Sequence, residues 1–269
     1  MIINLFLKSL IAFARGNRYL IIPKGYLGFF LFDRTTKNIR NIILRNKVDW
    51  YTVRQIFLTR ENSLSEIAHS SLIEVYYKNL LKNGKTPLVL DCGSNIGLTA
   101  LFYYDTYPRS KMLLAEIDLV NLTISQANIA SSDFVEHLHA AISNSNEKFF
   151  IDDSHVQPNA FRVASPDASL SKKSVTGVTI NKLIRENSQC APFLCKIDIE
   201  GHELQLFESN TEWMQEFPII IIELHDWLLV GEYSSRNLLN VLSKYPREVV
   251  ILGEHLVLLH TKDLMRGNG

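Results

Sequence analysis

The sequence predicts an α/β protein built on a mostly parallel sheet, covered by helices on both faces and finished by an antiparallel strand. Three observations predict it. Strand-like and helix-like segments alternate from Gly84 onward. The strand-like segments are apolar at consecutive positions, as in strands buried on both faces. Near the end, "EVVILGEHLVLLH" reads as two strands joined by a tight turn.

Taken in order, "PLVLD" is a strand, "IGLTALFYYDTY" a helix, "KMLLAEID" a strand and "LVNLTISQANIA" a helix. Strands follow at "FVEHLHAAI", "KFFID", "TGVTI", "FLCKID" and "PIIIIELH", with helices at "EGHELQLFES" and "SSRNLLNVLSK". Residues 152–175, rich in Ser, Asp and Asn, read as a loop. Upstream, the spacing of Leu64, Ile67, Leu72, Val75, Tyr76 and Leu80 predicts a helix from Ser63 to Leu81, closed by Asn83 and Gly84. Residues Tyr19–Phe32, broken by Pro23 and Gly25, read as a hairpin or two edge strands. Ile3, Phe6, Leu7, Leu10 and Phe13 recur at helical spacing, opposite Asn4, Lys8 and Arg15. That face is expected to pack on the body or a second subunit. Peripheral membrane contact by residues 1–15 is the alternative, which two cations support only weakly. Two units follow: an extension over 1–83 packing on a core, and a ligand-binding domain over 84–262.

The chain has 269 residues, enough for one large domain with an appended segment. Lys and Arg number 28, as do Asp and Glu, so the net charge points to neither nucleic acid nor a polybasic membrane patch. Three cysteines, Cys92, Cys190 and Cys195, match neither a zinc site nor a redox pair, and a reducing, cytoplasmic location is expected. The N-terminal segment lacks the basic start of a secretory signal, and Lys8 interrupts its apolar run. No stretch has the length and apolarity of a spanning helix.

In an open α/β sheet, ligands bind beyond the carboxyl ends of the strands. Acids cluster there: Asp91 ends one strand, Glu116 and Asp118 the next, Asp198 and Glu200 a later one, and Glu223 with His225 the isoleucine-rich one. Each has a bland alternative, such as satisfying loop amides or sitting in a first helical turn, but four strand ends sharing the feature point to a ligand. A dinucleotide loop needs G-x-G-x-x-G so that bare backbone can approach a pyrophosphate. Here Asn95 stands where the second glycine belongs, between Gly93 and Gly97, and no Gly-Lys-Ser/Thr of a phosphate loop follows. Glu116, 19 residues after Gly97, stands where a carboxylate accepts ribose hydroxyls. A nucleoside that carries positive charge and no phosphate fits this pattern. S-adenosylmethionine is such a molecule, with Glu116 for its ribose, Asp91 and Asp198 near its cationic portion, and Gly93 and Gly97 for its close passage.

"VLDCGSNIGLTALFY", "AEID", "LCKIDIEGHELQLFE" and "IIIIELH" resemble the FkbM-type family of S-adenosylmethionine-dependent methyltransferases, over roughly residues 50–225. The resemblance implies a seven-stranded, Rossmann-like sheet and methyl transfer, commonly to a hydroxyl of a glycan or small metabolite. It carries over to Asp91, Gly93, Asn95 and Gly97 in the loop, to Glu116, and to Asp198, Glu200, Gly201 and Glu203. Ala140, Ala141 and Ile142 fall where it places the adenine, so Ala141 joins the cofactor set. One departure is Ile117, where members often have Pro after the ribose acid.

For transfer to an alcohol, His225 is the preferred base, since it stands at a strand end and an ordinary histidine titrates near neutrality. Asp198, Glu200 and Glu223 are its rivals. No residue is assigned to a metal, although Asp198, Glu200, Glu223 and His225 suit Mg²⁺ or Mn²⁺ better than zinc. His202 is expected in a first helical turn facing solvent. Trp227, Tyr103 and Tyr104 are candidates for an acceptor pocket, with core packing as the alternative. A non-catalytic scaffold with this fold and an NAD-dependent dehydrogenase are the competing functions. The expected partner is a hydroxylated small molecule or glycan, and not a nucleic acid.

Overall fold

The computed structural model describes residues 2–152, 162–164, 173–227 and 230–266. Helix α1 (Ile2–Ala14) leads into a three-stranded antiparallel meander, β1 (Tyr19–Pro23), β2 (Gly28–Asp33) and β3 (Asn38–Ile43). A short helix α2 (Asp49–Val53) continues into a wider turn at Arg54–Leu58, and helix α3 (Ser70–Lys82) follows. Then come β4 (Thr86–Cys92), α4 (Leu98–Thr106), β5 (Lys111–Glu116), α5 (Leu119–Asn128), β6 (Val135–His139), β7 (Ala141–Ile142), β8 (Lys148–Asp152), β9 (Arg162–Ala164) and β10 (Ser174–Val178). The last part holds α6 (Ile180–Glu186), β11 (Cys190–Ile197), α7 (Glu203–Leu206), α8 (Trp213–Glu216), β12 (Ile219–Glu223), α9 (Arg236–Leu242), β13 (Glu248–Leu252), β14 (His255–Leu259) and α10 (Thr261–Arg266).

The main sheet has seven strands in the order β13-β14-β12-β11-β4-β5-β6. Its pairs are parallel from β12 to β6, and β14 runs antiparallel to both neighbours. This is the predicted Rossmann-like α/β architecture. Successive residues divide between two cores, as the two-residue period of a strand requires. Leu88, Leu90, Cys92, Cys195, Ile197, Ile220 and Ile222 enter one cluster, while Val89, Leu194, Ile219 and Ile221 enter the other. The second cluster also holds Tyr19, Phe29, Trp50, Phe57 and Ile73, so residues upstream of the sheet are packed onto one of its faces.

Several local expectations change. The predicted strand "FVEHLHAAI" breaks at Ala140, whose amide donates to the Glu116 carbonyl, and β7 leaves for a separate sheet of order β7-β10-β8-β9. "KFFID" and "TGVTI" therefore belong to that small sheet and not to the parallel one. Within the expected 152–175 loop, Arg162–Ala164 pairs with β8; residues 153–161 and 165–172 lie outside the described part. The Ser63–Leu81 helix starts only at Ser70, because Arg60 binds the hydroxyls of Ser63 and Ser65 and holds a separate turn at Leu64–Glu66. Strand β3 and helix α6 were not anticipated.

Candidate active site

The turn after β4 is shaped by its own packing. Gly93 has φ +84°, and a Cβ there would lie 1.8 Å from the Asp198 carbonyl oxygen. Gly97 has φ +79°, and a Cβ would lie 2.5 Å from Ser125 Oγ. Both glycines are thus demanded by neighbouring protein atoms, whatever passes outside them. Between them Asn95, at φ +49°, donates its amide to Glu116 Oε2 at 2.7 Å. Glu116 Oε1 accepts the Asp118 amide at 2.8 Å, and Asp118 in turn caps α5. Burial pushes Glu116 up to about 7 against the pull of the Asp118 and Asn95 amides. A carboxylate has about four acceptor positions, so both oxygens keep capacity for a ligand's hydroxyls.

Glu116, Asn95, Gly93, Ala141 and His202 border a cleft of about 550 Å³. Ala140, Ile142 and Ile117 add its apolar wall. His202 does not face solvent: it is buried, its Nε2 lies 3.2 Å from Ser143 Oγ, and its ring meets Phe149 edge to face. Burial pushes it down to about 4, so it is a neutral wall residue.

Asp91 and Lys196 are register partners on adjacent parallel strands and project from the same sheet face. Lys196 Nζ lies 2.7 Å from Asp198 Oδ2 and 3.9 Å from Asp91 Oδ1. Asp91 is fully buried, and among the described residues neither of its carboxylate oxygens has a hydrogen-bond donor. Burial pushes its carboxyl up to about 6, with Lys196 opposing and Asp198 adding to the rise. Burial would lower the Lys196 ammonium, yet Asp198 and Asp91 hold it above the ordinary lysine value. Burial likewise opposes ionisation of Asp198, but Lys196 and His225 hold it below the ordinary range.

Beyond Asp198 the chain reverses through Glu200 and Gly201, at φ +53° and +93°. His225 then becomes the centre of an acidic ring. Its Nδ1 lies 2.8 Å from Glu203 Oε1, and its Nε2 lies 3.5 Å from Glu200 Oε2, 3.6 Å from Asp198 Oδ1 and 3.9 Å from Glu223 Oε1. Burial alone would lower His225; the Glu203 hydrogen bond and the charges of Glu203, Asp198 and Glu200 outweigh it and push it up to about 9. The near-neutral titration expected of His225 is therefore replaced by an imidazolium at pH 7. Burial, then Asp198, push Glu200 up to about 7 and Glu223 up to about 8. Glu223 also meets His255 Nε2 at 3.5 Å, its register partner on β14.

His225, Glu223, Lys196, Asp198 and Glu200 line a second cleft of about 1200 Å³. Gly93, Asn95, Asp198 and Glu200 border both clefts. Its far wall is Tyr51, Thr52, Gln55 and Asn62, upstream of the sheet, with the exposed Trp227 on the rim. Tyr103 is wholly buried and bonds the Asn62 carbonyl, and Tyr104 packs against the core, so neither faces this cleft. Donor atoms of Asp198, Glu200 and His225 lie within 4.8 Å of one another, a spacing a divalent cation can use.

Of the predicted site residues, Gly93, Asn95, Glu116, Ala141, Asp198, Glu200 and His225 border the two clefts, while Asp91 lies buried beside Lys196 and lines neither, and Gly97 packs behind the turn on Ser125. A profile of the methyltransferase FkbM domain matches residues 91–245, more than half of the chain. The chain belongs to the FkbM methyltransferase domain family. A hexuronic acid methyltransferase, AglP of Haloferax volcanii, is 26% identical over 88 residues, 33% of this chain and 36% of that protein. The chain thus aligns with about a third of that curated relative. Among solved structures, the METTL16 methyltransferase domain superposes with a TM-score of 0.39 at 12% identity, covering 69% of this chain and 64% of that one. The plantazolicin methyltransferase BpumL in complex with SAH gives 0.36 at 12% identity, covering 83% and 82%.

Three features of the clefts in this FkbM-family chain escaped sequence reasoning. Lys196 is the internal counter-ion of Asp91 and Asp198, and its signal was a lysine inside the apolar run "FLCKID". Glu203 was visible as a residue but not as the partner of His225. His255 carried no local signal, because only strand pairing sets it against Glu223.

Proposed function

We propose that the chain is an S-adenosylmethionine-dependent methyltransferase that methylates a hydroxyl oxygen of a glycan or small metabolite. The observation that carries this reading is the buried, donorless carboxylate of Asp91 beside a ring of acids whose positive charges are too few. A buried carboxylate with free acceptor positions calls for a ligand with donors or positive charge. The residues present fit that cofactor. Glu116 would hold the ribose hydroxyls, Ala141 with its neighbours the base, and Gly93, Asn95, Asp91 and Asp198 the cationic portion, with Gly97 keeping the turn closed. Residues 84–262 would form the cofactor-binding unit, and 1–83 would supply the acceptor-facing wall through Tyr51, Thr52 and Gln55.

When bound, S-adenosylmethionine supplies an electrophilic methyl group. The protein's own work is to place an acceptor oxygen and remove its proton. Orientation of this kind is worth up to about 7 to 11 kcal/mol in favourable systems. His225 Nε2 faces the larger cleft and takes the hydroxyl proton once its own has left. Glu203 fixes the ring and stabilises the resulting imidazolium, and Asp198 and Glu200 add to that field. A positioned base typically contributes about 10² to 10⁴ in rate. Turnover of a hydroxylated acceptor by wild type and by His225→Ala tests the assignment: the variant should lose that factor, and undiminished turnover would remove His225 from the role.

A second reading is favoured by the spacing of Asp198, Glu200 and His225, which could hold Mg²⁺ or Mn²⁺ to polarise the acceptor hydroxyl. Exhaustive chelation that leaves turnover unchanged eliminates it. Mass spectrometry of glycan and metabolite pools from cells with and without the protein identifies the acceptor by a lost methyl group.

A further inference from the structure

The balanced total charge hides an asymmetry. Residues 1–60 contain eleven lysines and arginines against two acids, Asp33 and Asp49, and the remaining residues carry the compensating acid. Both acids are buried and already paired, with Arg18 and Arg45. Arg40 is committed to Asp105, and Arg60 to Glu66. The other seven cations, Lys8, Arg15, Lys47 and Arg54 among them, are exposed and have no carboxylate partner among the described residues.

The same lobe exposes aliphatic surface. Helix α1 seats Leu5 and Ser9 on the body, where Ser9 Oγ accepts the Ile21 amide. Of the predicted packing face, Ile3, Leu7 and Leu10 are turned outward, 76%, 51% and 45% exposed, with Ile11 beside them at 54%, while Phe6 and Phe13 are half-buried and Phe13 meets Phe32 edge to face. Lys8 and Arg15 flank this stripe. Beside α1 a groove of about 1270 Å³ is bordered by Lys8, Lys47, Val48, Tyr51 and Arg54. On this lobe cations stand over aromatic rings, Lys47 4.8 Å from the Tyr26 ring and Arg34 4.0 Å from that of Phe13. Tyr51 also borders the larger cleft, which joins this face to the acceptor side of the molecule.

We propose that this face docks on an anionic membrane surface, with α1 lying in the interface. Charge and apolarity together select that occupant. An anionic bilayer takes the aliphatic stripe at its acyl boundary and the cations at its headgroups. A polyanionic nucleic acid would use the cations but gain nothing from Ile3, Leu7 and Leu10. A second copy meeting the same face would bring two strongly positive surfaces together. The inference stands apart from the methyltransferase reading, since it uses none of the residues of the clefts' acidic rim.

Flotation of the full chain with phosphatidylcholine vesicles, alone and with roughly one-third phosphatidylglycerol, tests it. Wild type should float with the anionic vesicles only, and less so at high salt. Each exposed cation near an anionic surface is worth about fivefold in partitioning. A Lys8→Glu/Arg15→Glu/Arg54→Glu variant should therefore lose more than about tenfold. A Leu7→Glu/Leu10→Glu variant should lose binding at every salt concentration, with thermal melts showing that both variants fold. The proposal is overturned if wild type ignores anionic vesicles, or if both folded variants bind like wild type. It is equally overturned if wild type is a dimer that Leu7→Glu/Leu10→Glu dissociates without lipid, or if it binds an oligonucleotide in preference to vesicles and the leucine variant leaves that binding intact.

Discussion

Glu203 Oε1 lies 2.8 Å from His225 Nδ1, and both side chains are buried, so the imidazole is locked with Nε2 toward three other carboxylates. The pair sets the basicity of the site. If His225 must lose its proton to work, methyl transfer should rise with pH toward about 9. Glu203→Gln keeps an acceptor for Nδ1–H but removes the charge, so the inflection in the pH–rate profile should move to lower pH. An inflection that stays where it was assigns the titration to another group. Glu203→Ala should also cost about 1 to 3 kcal/mol in stability, because it leaves the buried Nδ1–H of His225 without its acceptor.

The acidic ring also predicts how stability follows pH. His225 rises from 6.5 to about 9 on folding, Glu116 and Glu200 from 4.5 to about 7, and Glu223 from 4.5 to about 8. The folded chain therefore holds more protons than the unfolded one from about pH 5 to 9, and stability falls as pH rises through that window. The His225 contribution is complete below 6.5 and gone above about 9. Thermal melts without cofactor should show a lower Tm at pH 9 than at pH 6. A cationic ligand opposes this loss, so S-adenosylmethionine should raise the Tm more at pH 9. A flat profile would mean that the ring is hydrated rather than buried.

The two loop glycines should not be equivalent. Gly93→Ala drives a methyl group into the Asp198 carbonyl, a backbone atom with nowhere to go, and should abolish soluble folded protein. Gly97→Ala meets the Ser125 hydroxyl, which can rotate, and should fold with a lowered Tm. Pairing Gly97→Ala with Ser125→Gly should recover part of that loss. Equal tolerance at both positions would show that the turn is looser than its geometry.

What was legible in the sequence follows from which interactions are local. Strand periodicity and the position of acids at strand ends depend on a few consecutive residues, so the parallel sheet and the meeting of Asp91, Glu116, Asp198 and His225 could be anticipated. The break at Ala140 could not, because it depends on a hydrogen bond to Glu116 and on β10, some 35 residues away. Periodicity marked an apolar stripe on α1 but not which face the body would take, since that was settled by Ser9 meeting the Ile21 amide. The solvent-facing expectation for His202 failed for a similar reason: Ser143, just after β7, and Phe149 of β8 are distant in sequence and cover it.

Isothermal titration with S-adenosylmethionine and NAD side by side tests whether the Asp91 and Glu116 carboxylates form the receptor for a cationic nucleoside. One-to-one heat is expected from S-adenosylmethionine and none from NAD, with affinity reduced at least about tenfold in folded Asp91→Asn and Glu116→Gln. Absence of heat from S-adenosylmethionine with wild type, or affinity unchanged in both variants, would contradict it.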